Sequence, residues 1–201
     1  MFYRKTCLIA VAGLAVSACA VSPPSLSAAL ETAPLANCDY GSAHPDAPEE
    51  FAQFSFLIGN YDITSHAMTP RGWSPPRPGP HARWRGHYSL DGMTITDEWY
   101  DPNPDVDPNA PRGVNVRLYD ADEGVWKMMW ISTVGKQVQD LRAEMRDGKL
   151  TMWNVYPADI KSLAEFTVED ADHWYRTSYV NDPDSGWVPQ FRLRATRIPC
   201  D

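Results

Sequence analysis

Downstream of Phe51, the chain consists of short runs rich in aromatic and β-branched residues, separated by clusters of Gly, Pro, Asn and Asp. Polar and apolar positions alternate within these runs, which is typical of β-strands with one buried face. Turn sequences such as Asp91-Gly92 and Asp147-Gly148 separate successive runs and favour tight hairpins. The pattern predicts about ten strands, at residues 56–66, 81–89, 93–100, 113–119, 125–133, 138–145, 150–156, 162–168, 173–180 and 188–198.

The order of these strands predicts the fold. Consecutive strands joined by tight turns form a meander, and closure of the meander into a barrel removes its exposed edges. Residues 51–57 are the one segment that we expect to form a short helical lead-in. We therefore predict an all-β domain over residues 51–201, built as an antiparallel up-and-down barrel of about ten strands.

Two predicted connections are longer than tight turns, at residues 68–80 and 101–112. The first is rich in proline and cannot continue a sheet, and it carries Trp73 into what should be solvent. A long loop between the first two strands is well placed to act as a lid over the barrel mouth, and Trp73 favours that interpretation. The alternative is a surface insertion without a binding role.

The N-terminus predicts export and a lipid anchor. Arg4 and Lys5 precede an apolar run at residues 8–16, and Val16-Ser17-Ala18-Cys19 resembles a bacterial lipoprotein lipobox. This resemblance implies that residues 1–18 are a signal peptide and that Cys19 is acylated. A plain signal peptide cut after Ala18 is the alternative. By resemblance to other lipoproteins, Ala20 is compatible with sorting to the outer membrane, facing the periplasm.

The segment that follows the anchor, residues 19–50, is rich in Ala, Ser and Pro and shows no hydrophobic period, so we predict a flexible tether. Two cysteines remain in the mature chain, Cys38 and Cys200. In an oxidising compartment such a pair indicates one disulfide, which would tie the start of the folded part to its end. A reactive thiol or a metal-binding pair is the alternative.

Four motifs carry a resemblance to a known family: FLIGNYD at 56–62, LDGM at 90–93, RLYD at 117–120 and VWKMMW at 125–130. In combination they are similar to bacterial lipocalin-like proteins of the calycin type, a family of unassigned function, over residues 51–197. Tyr61 stands where lipocalin-type openings usually have Trp. The resemblance implies a lipocalin-like barrel with an internal cavity, and it implies no reaction.

The chain contains 8 Trp, 9 Tyr and 7 Met, more than a small core requires, which favours a cavity lined for a flat or apolar ligand. Ordinary barrel core is the alternative for these residues. An inward Arg85 or Arg117 would bind a carboxylate, unless these arginines lie outside and pair with acids. The candidate ligand-binding residues are Trp73, Arg85, Arg117, Met128, Trp130 and Trp153.

The chemistry of the chain narrows the function classes. The formal net charge of −8, without a basic run, argues against nucleic acid as a partner. We find no motif for a nucleophile, a zinc site or a phosphate loop. A calcium loop at residues 101–107 fails because Val106 replaces the required glycine, and His173 as a haem ligand lacks a second marker. We therefore expect neither metal nor cofactor.

These observations favour a lipid-anchored barrel, without enzymatic activity, that binds a small hydrophobic or amphipathic ligand in its lumen. One alternative is an isomerase or hydrolase with Glu98 or Asp97 as the base and His173 or Tyr175 as the acid. Another is an envelope scaffold that contacts a protein partner through exposed tryptophans, Trp73 and Trp187.

Overall fold

The computed structural model describes residues 38–200. A 3₁₀ helix, Glu49–Leu57, precedes eleven strands, and a single 3₁₀ turn, Val134–Lys136, follows the sixth. The strands are β1 Gly59–Thr69, β2 Gly72–Trp73, β3 Ala82–Ser89, β4 Thr94–Tyr100, β5 Arg112–Asp120, β6 Val125–Ser132, β7 Gln137–Arg146, β8 Lys149–Tyr156, β9 Ser162–Val168, β10 His173–Asp182 and β11 Gly186–Arg197.

The strands form a closed barrel. From β3 to β11 each strand pairs antiparallel with the next, and β1 pairs with both β3 and β11. Tyr61 in β1 is the register partner of Trp84 on one side and of Arg197 on the other. The result is a ten-stranded antiparallel up-and-down barrel, which confirms the predicted fold class. The two-residue β2 forms a small hairpin with the end of β1.

The predicted first strand began three residues too early, because Phe56 and Leu57 belong to the 3₁₀ helix. The chain turns from helix to strand at Gly59, which has a φ of 136°, a conformation that side chains rarely adopt. A Cβ at this position would also lie 2.2 Å from Nη1 of Arg197. Gly59 therefore allows the helix to enter the barrel wall at this point.

The 3₁₀ helix closes one end of the barrel, which we call the base. Phe51 and Phe54 pack on the ring of Trp126, with centroid distances of 5.2 and 4.9 Å. The indole N–H of Trp126 donates a hydrogen bond to Oε1 of Gln53 over 3.0 Å. Above these contacts, Trp174 packs edge-on against neighbouring aromatic rings of the core. The base is thus a packed aromatic core.

The folded unit begins before the helix. A disulfide joins Cys38 to Cys200, with 5.9 Å between their Cα atoms, and so confirms the predicted clasp across 162 positions. The carbonyl of Tyr40 accepts a hydrogen bond from the Tyr88 backbone N–H over 2.8 Å. Residues 38–50 of the predicted tether therefore contact the barrel. Within residues 38–200, no helix combines the length and apolar character needed to cross a membrane.

Candidate functional site

A cavity of about 330 Å³ lies inside the barrel towards the end opposite the 3₁₀ helix, and it is partly open to solvent. Small-molecule sites typically span about 300–1,000 Å³, so this one suits a small ligand. Its lining is mostly apolar, with a few polar groups on the wall. The lining residues are Trp84, Trp99, Asn115, Trp130, Gln139, Leu141, Met152, Trp153, Ser162, Leu163, Ala164, Arg176, Ser178, Phe191 and Leu193.

Three tryptophans on neighbouring strands form an apolar part of the wall. Trp84 and Trp99 are register partners on β3 and β4, and Trp130 follows on β6. The ring of Trp130 lies over Gly113 in β5, where a Cβ would come within 2.1 Å of the ring. Gly113 therefore provides the space that Trp130 occupies, because any side chain there would displace the indole.

The polar groups of the wall include several without partners. Nε of Arg176 and the indole nitrogens of Trp84 and Trp99 are buried and have no hydrogen-bond acceptor among the described residues. The Oδ1 atom of Asn115 is likewise unpaired. Buried polar groups in proteins are nearly always hydrogen-bonded, so unpaired groups around one cavity indicate a place for a ligand or for water.

Two arginines dominate the electrostatics inside the barrel. Arg117 is buried, forms an ion pair with the buried carboxylate of Asp97, and lies 4.9 Å from the ring centroid of Phe54. Burial, with added repulsion from Arg176, lowers the pKa of Arg117 to about 9. Burial also lowers the pKa of Arg176 to about 10, although part of its side chain faces the cavity. Both arginines remain charged at neutral pH.

The predicted ligand-binding residues on β6 and β8 occupy different surroundings. Trp130 lines the cavity. Met128 is 3% exposed and packs in the core, between its register partners Arg117 and Leu141. Trp153 borders the cavity, but the guanidinium of Arg146 lies against its ring, with 4.1 Å between the guanidinium carbon and the ring centroid. Of these three, Trp130 is placed most directly to contact a ligand.

The predicted carboxylate-binding arginines are not available to a ligand in the cavity. Arg85 follows Trp84, which lines the cavity, so strand alternation directs Arg85 to the outer face. There its Nη2 lies 3.5 Å from Asp105, a residue of the loop between β4 and β5. Arg117 points inward, which is one of the two orientations that the sequence left open, but its charge is already compensated by Asp97.

Trp73 lies on the outer wall of the barrel rather than over its mouth. The sequence predicted Trp73 on a loop in solvent. In the structure it belongs to β2 and pairs with Met68 in the β1–β2 hairpin. The guanidinium of Arg192 lies between the rings of Trp73 and Tyr175, 4.3 and 4.4 Å from their centroids. The residues on either side of Arg192 line the cavity, so Arg192 itself must point outward. Its stacking with Trp73 holds the start of the proline-rich loop against the barrel wall.

The four residues of the enzymatic alternative are not brought together. Asp97 is paired with Arg117 inside the barrel. Glu98 faces outward and accepts a hydrogen bond from the Tyr100 hydroxyl over 2.6 Å. His173 is at the base, where its Nδ1 lies 2.8 Å from the Asp170 carboxylate. Tyr175, the fourth, stacks on Arg192 at the outer wall.

Sequence reasoning missed Arg176, Asn115, Trp84 and Trp99 as cavity residues. The alternation along β10 could have identified Arg176. Trp174, two positions earlier, is a large apolar residue, which indicates that both side chains lie on the inner face.

Among residues 38–200, no cluster of three or more His, Cys, Asp or Glu side chains could hold a metal ion. The predicted signal peptide and Cys19 lie outside the described residues.

Comparison with known proteins does not identify a family for this chain. No family model matches the chain, and no similar curated protein was found. Among solved structures, the S-type phycobiliprotein lyase CPES from Guillardia theta matches with a TM-score of 0.48 and 15% sequence identity. The match covers 76% of this chain and 93% of the lyase chain. The barrel assignment rests on the strand pairing itself.

Proposed function

We propose that this protein binds a small hydrophobic or amphipathic molecule in the barrel cavity. The observation that carries the proposal is the combination of a tryptophan-lined cavity with unpaired polar groups on its wall. A binding site of this kind needs an apolar surface for affinity and a few polar groups for orientation. The packed base leaves the opposite end of the barrel as the entrance for a ligand.

The experiment uses the mature chain, residues 19–201, carrying Cys19→Ser and exported behind a cleavable signal peptide. The protein is purified from the periplasm of the cells that export it. Native mass spectrometry should then show a bound small molecule as added mass, and denaturation should remove it. In parallel, the fluorescent probes N-phenyl-1-naphthylamine, which is neutral, and 1-anilinonaphthalene-8-sulfonate, which is anionic, are titrated into the protein. Saturable binding of at least one probe is expected. If neither probe binds, the proposal is wrong.

Trp130→Ala tests whether binding occurs in the cavity. Loss of an aromatic contact should weaken binding of either probe by about tenfold. Trp187→Ala is the matched control, because Trp187 is 42% exposed and is not part of the cavity wall. Equal affinities in the two variants would place the bound probe elsewhere.

We also propose that the barrel is tethered to the cell envelope, at the periplasmic face of the outer membrane, through a lipid on Cys19. The proposal rests on the lipobox-like sequence at residues 16–19. Full-length protein produced with radiolabelled palmitate should incorporate the label and fractionate with outer membranes, whereas Cys19→Ala should not be labelled. An unlabelled wild-type protein in the soluble periplasmic fraction would instead indicate a plain signal peptide.

A further inference from the structure

Arg176 is a cation inside the barrel without a counter-charge. It lies on β10 between its apolar register partners Phe166 and Leu193, and its side chain borders the cavity. Within residues 38–200, no ion pair involves Arg176, and its Nε lacks a hydrogen-bond partner. The buried acid that could neutralise it, Asp97, is paired with Arg117 instead.

The unpaired groups around the cavity are mostly donors. A guanidinium N–H and two indole N–H groups, from Arg176, Trp84 and Trp99, have no acceptor, against one unpaired acceptor, Oδ1 of Asn115. Burying a charged donor without a partner is unfavourable, so such a group is expected to meet its partner in the functional state. A ligand that completes this site must bring acceptor atoms and negative charge.

We propose that the ligand is an amphipathic organic acid, whose anionic group pairs with Arg176 while its apolar body lies against Trp84, Trp99 and Trp130. This inference rests on the proposed function and specifies its ligand class. A guanidinium binds carboxylate, sulfonate and phosphate groups through paired N–H donors, and the interaction strengthens where water is excluded. The tryptophan wall selects against inorganic anions, which bring no apolar surface.

The two naphthalene probes differ only in the sulfonate group, so they isolate the contribution of Arg176. Arg176→Gln should weaken binding of the anionic probe by roughly 10- to 100-fold, since a hydrogen-bonded charge pair is lost. Binding of the neutral probe should change by less than about twofold, because the apolar wall is unchanged. Arg176→Lys should retain part of the affinity for the anionic probe, because it keeps the charge.

The matched control is Arg194→Gln on the neighbouring strand, where Arg194 pairs with Glu169 at the surface. It should leave both affinities unchanged, which excludes a general effect of net charge. Circular dichroism verifies that each variant is folded. If Arg176→Gln weakens both probes equally, or neither, the anion assignment is wrong while cavity binding stands. If neither probe binds wild-type protein, the proposed function itself fails.

Competition identifies the kind of anion. Decanoate should displace the bound anionic probe, and decanol should require a concentration at least about tenfold higher, because it lacks the charge. If sulfate displaces the probe as effectively as decanoate, the site binds simple anions and the assignment to an organic acid is overturned.

Discussion

Arg197 stacks on the ring of Tyr61, with 4.7 Å between the guanidinium carbon and the ring centroid, and thereby joins the last strand of the barrel to the first. Nη1 of Arg197 also donates a hydrogen bond to the Ile58 carbonyl over 2.9 Å, and the Tyr61 hydroxyl donates to the Phe56 carbonyl over 2.5 Å. These contacts link barrel closure to the end of the 3₁₀ helix. Of the arginines on β11, Arg197 makes this contact because it is the register partner of Tyr61.

Arg197→Ala should lower the free energy of unfolding by about 2 kcal/mol, because it removes a cation–π contact and a hydrogen bond from a charged donor. Urea denaturation at neutral pH measures the change. Arg194→Ala is the control, and it should cost less than about 1 kcal/mol because its ion pair is exposed. Equal losses in the two variants would contradict a special role for Arg197.

Gly113→Ala should weaken ligand binding while the protein remains folded. The added methyl group would overlap the Trp130 ring, which must then shift within the cavity wall. We expect a loss in affinity for the neutral naphthalene probe of about tenfold, similar to Trp130→Ala. Gly124→Ala is the control for ligand binding, since its Cβ would meet no atom within 4 Å and its φ of 66° makes the cost of the methyl group one of stability rather than of affinity. Unchanged binding in Gly113→Ala would show that the position of Trp130 does not matter.

Arg176→Leu should raise the stability of the ligand-free protein by about 1 kcal/mol, because it removes a half-buried charge whose Nε has no hydrogen-bond partner. Chemical denaturation without ligand measures the gain, and Arg176→Lys, which keeps the charge, should show none. The same Arg176→Leu substitution should abolish the preference for anions. A destabilised Arg176→Leu variant would indicate that Arg176 serves the fold instead.

Three tyrosines should resist ionisation in the folded protein. Burial raises the pKa values of Tyr61, Tyr100 and Tyr179 to about 12, against an ordinary value of 10.0. Their contribution to stability is complete below pH 10 and is lost as the pH rises towards 12. The lowered pKa values of Arg117 and Arg176 act in the opposite direction above pH 9.

Because these contributions oppose each other, phenolate absorbance is a cleaner readout than unfolding free energy. At pH 11, midway between the two pKa values, unfolding in denaturant should release about 0.8 phenolate from each of the three tyrosines, or about 2.5 together. Tyr61→Phe should reduce that increase by about 0.8 phenolate. Titration of these three phenols in the folded protein with a midpoint near pH 10 would show that the side chains are solvated.

Removal of the disulfide by Cys38→Ser with Cys200→Ser should lower the free energy of unfolding by up to about 5 kcal/mol, because it releases a constraint on a long loop of the unfolded chain. Thermal unfolding of the double variant, compared with wild type under oxidising conditions, measures the loss. Identical midpoints would mean that the clasp contributes nothing to stability.

The number and order of the barrel strands and the helical lead-in could be predicted from the sequence, and so could the pairing of Cys38 with Cys200. These features are local or follow from simple counting. Alternation with period two defines a strand, and turn residues separate strands. If Cys7 and Cys19 are assigned to the predicted signal peptide and lipid anchor, the two remaining cysteines leave one pairing. The first boundary was wrong because the apolar residues Phe56 and Leu57 suit a strand and a buried helix equally well.

Which face of each strand lines the cavity follows from the closed barrel and not from the sequence pattern. Alternation separates two faces without saying which is inner, and arginine and tryptophan occur on both, since each has an apolar body and a polar tip. Arg85 was therefore a candidate for the lumen, and Trp73 for a lid over it, but both lie on the outer wall, whereas Arg176 lies inside. The inner position of Arg176 follows from barrel closure, which brings β10 opposite the tryptophans of β3, β4 and β6 around one enclosed space.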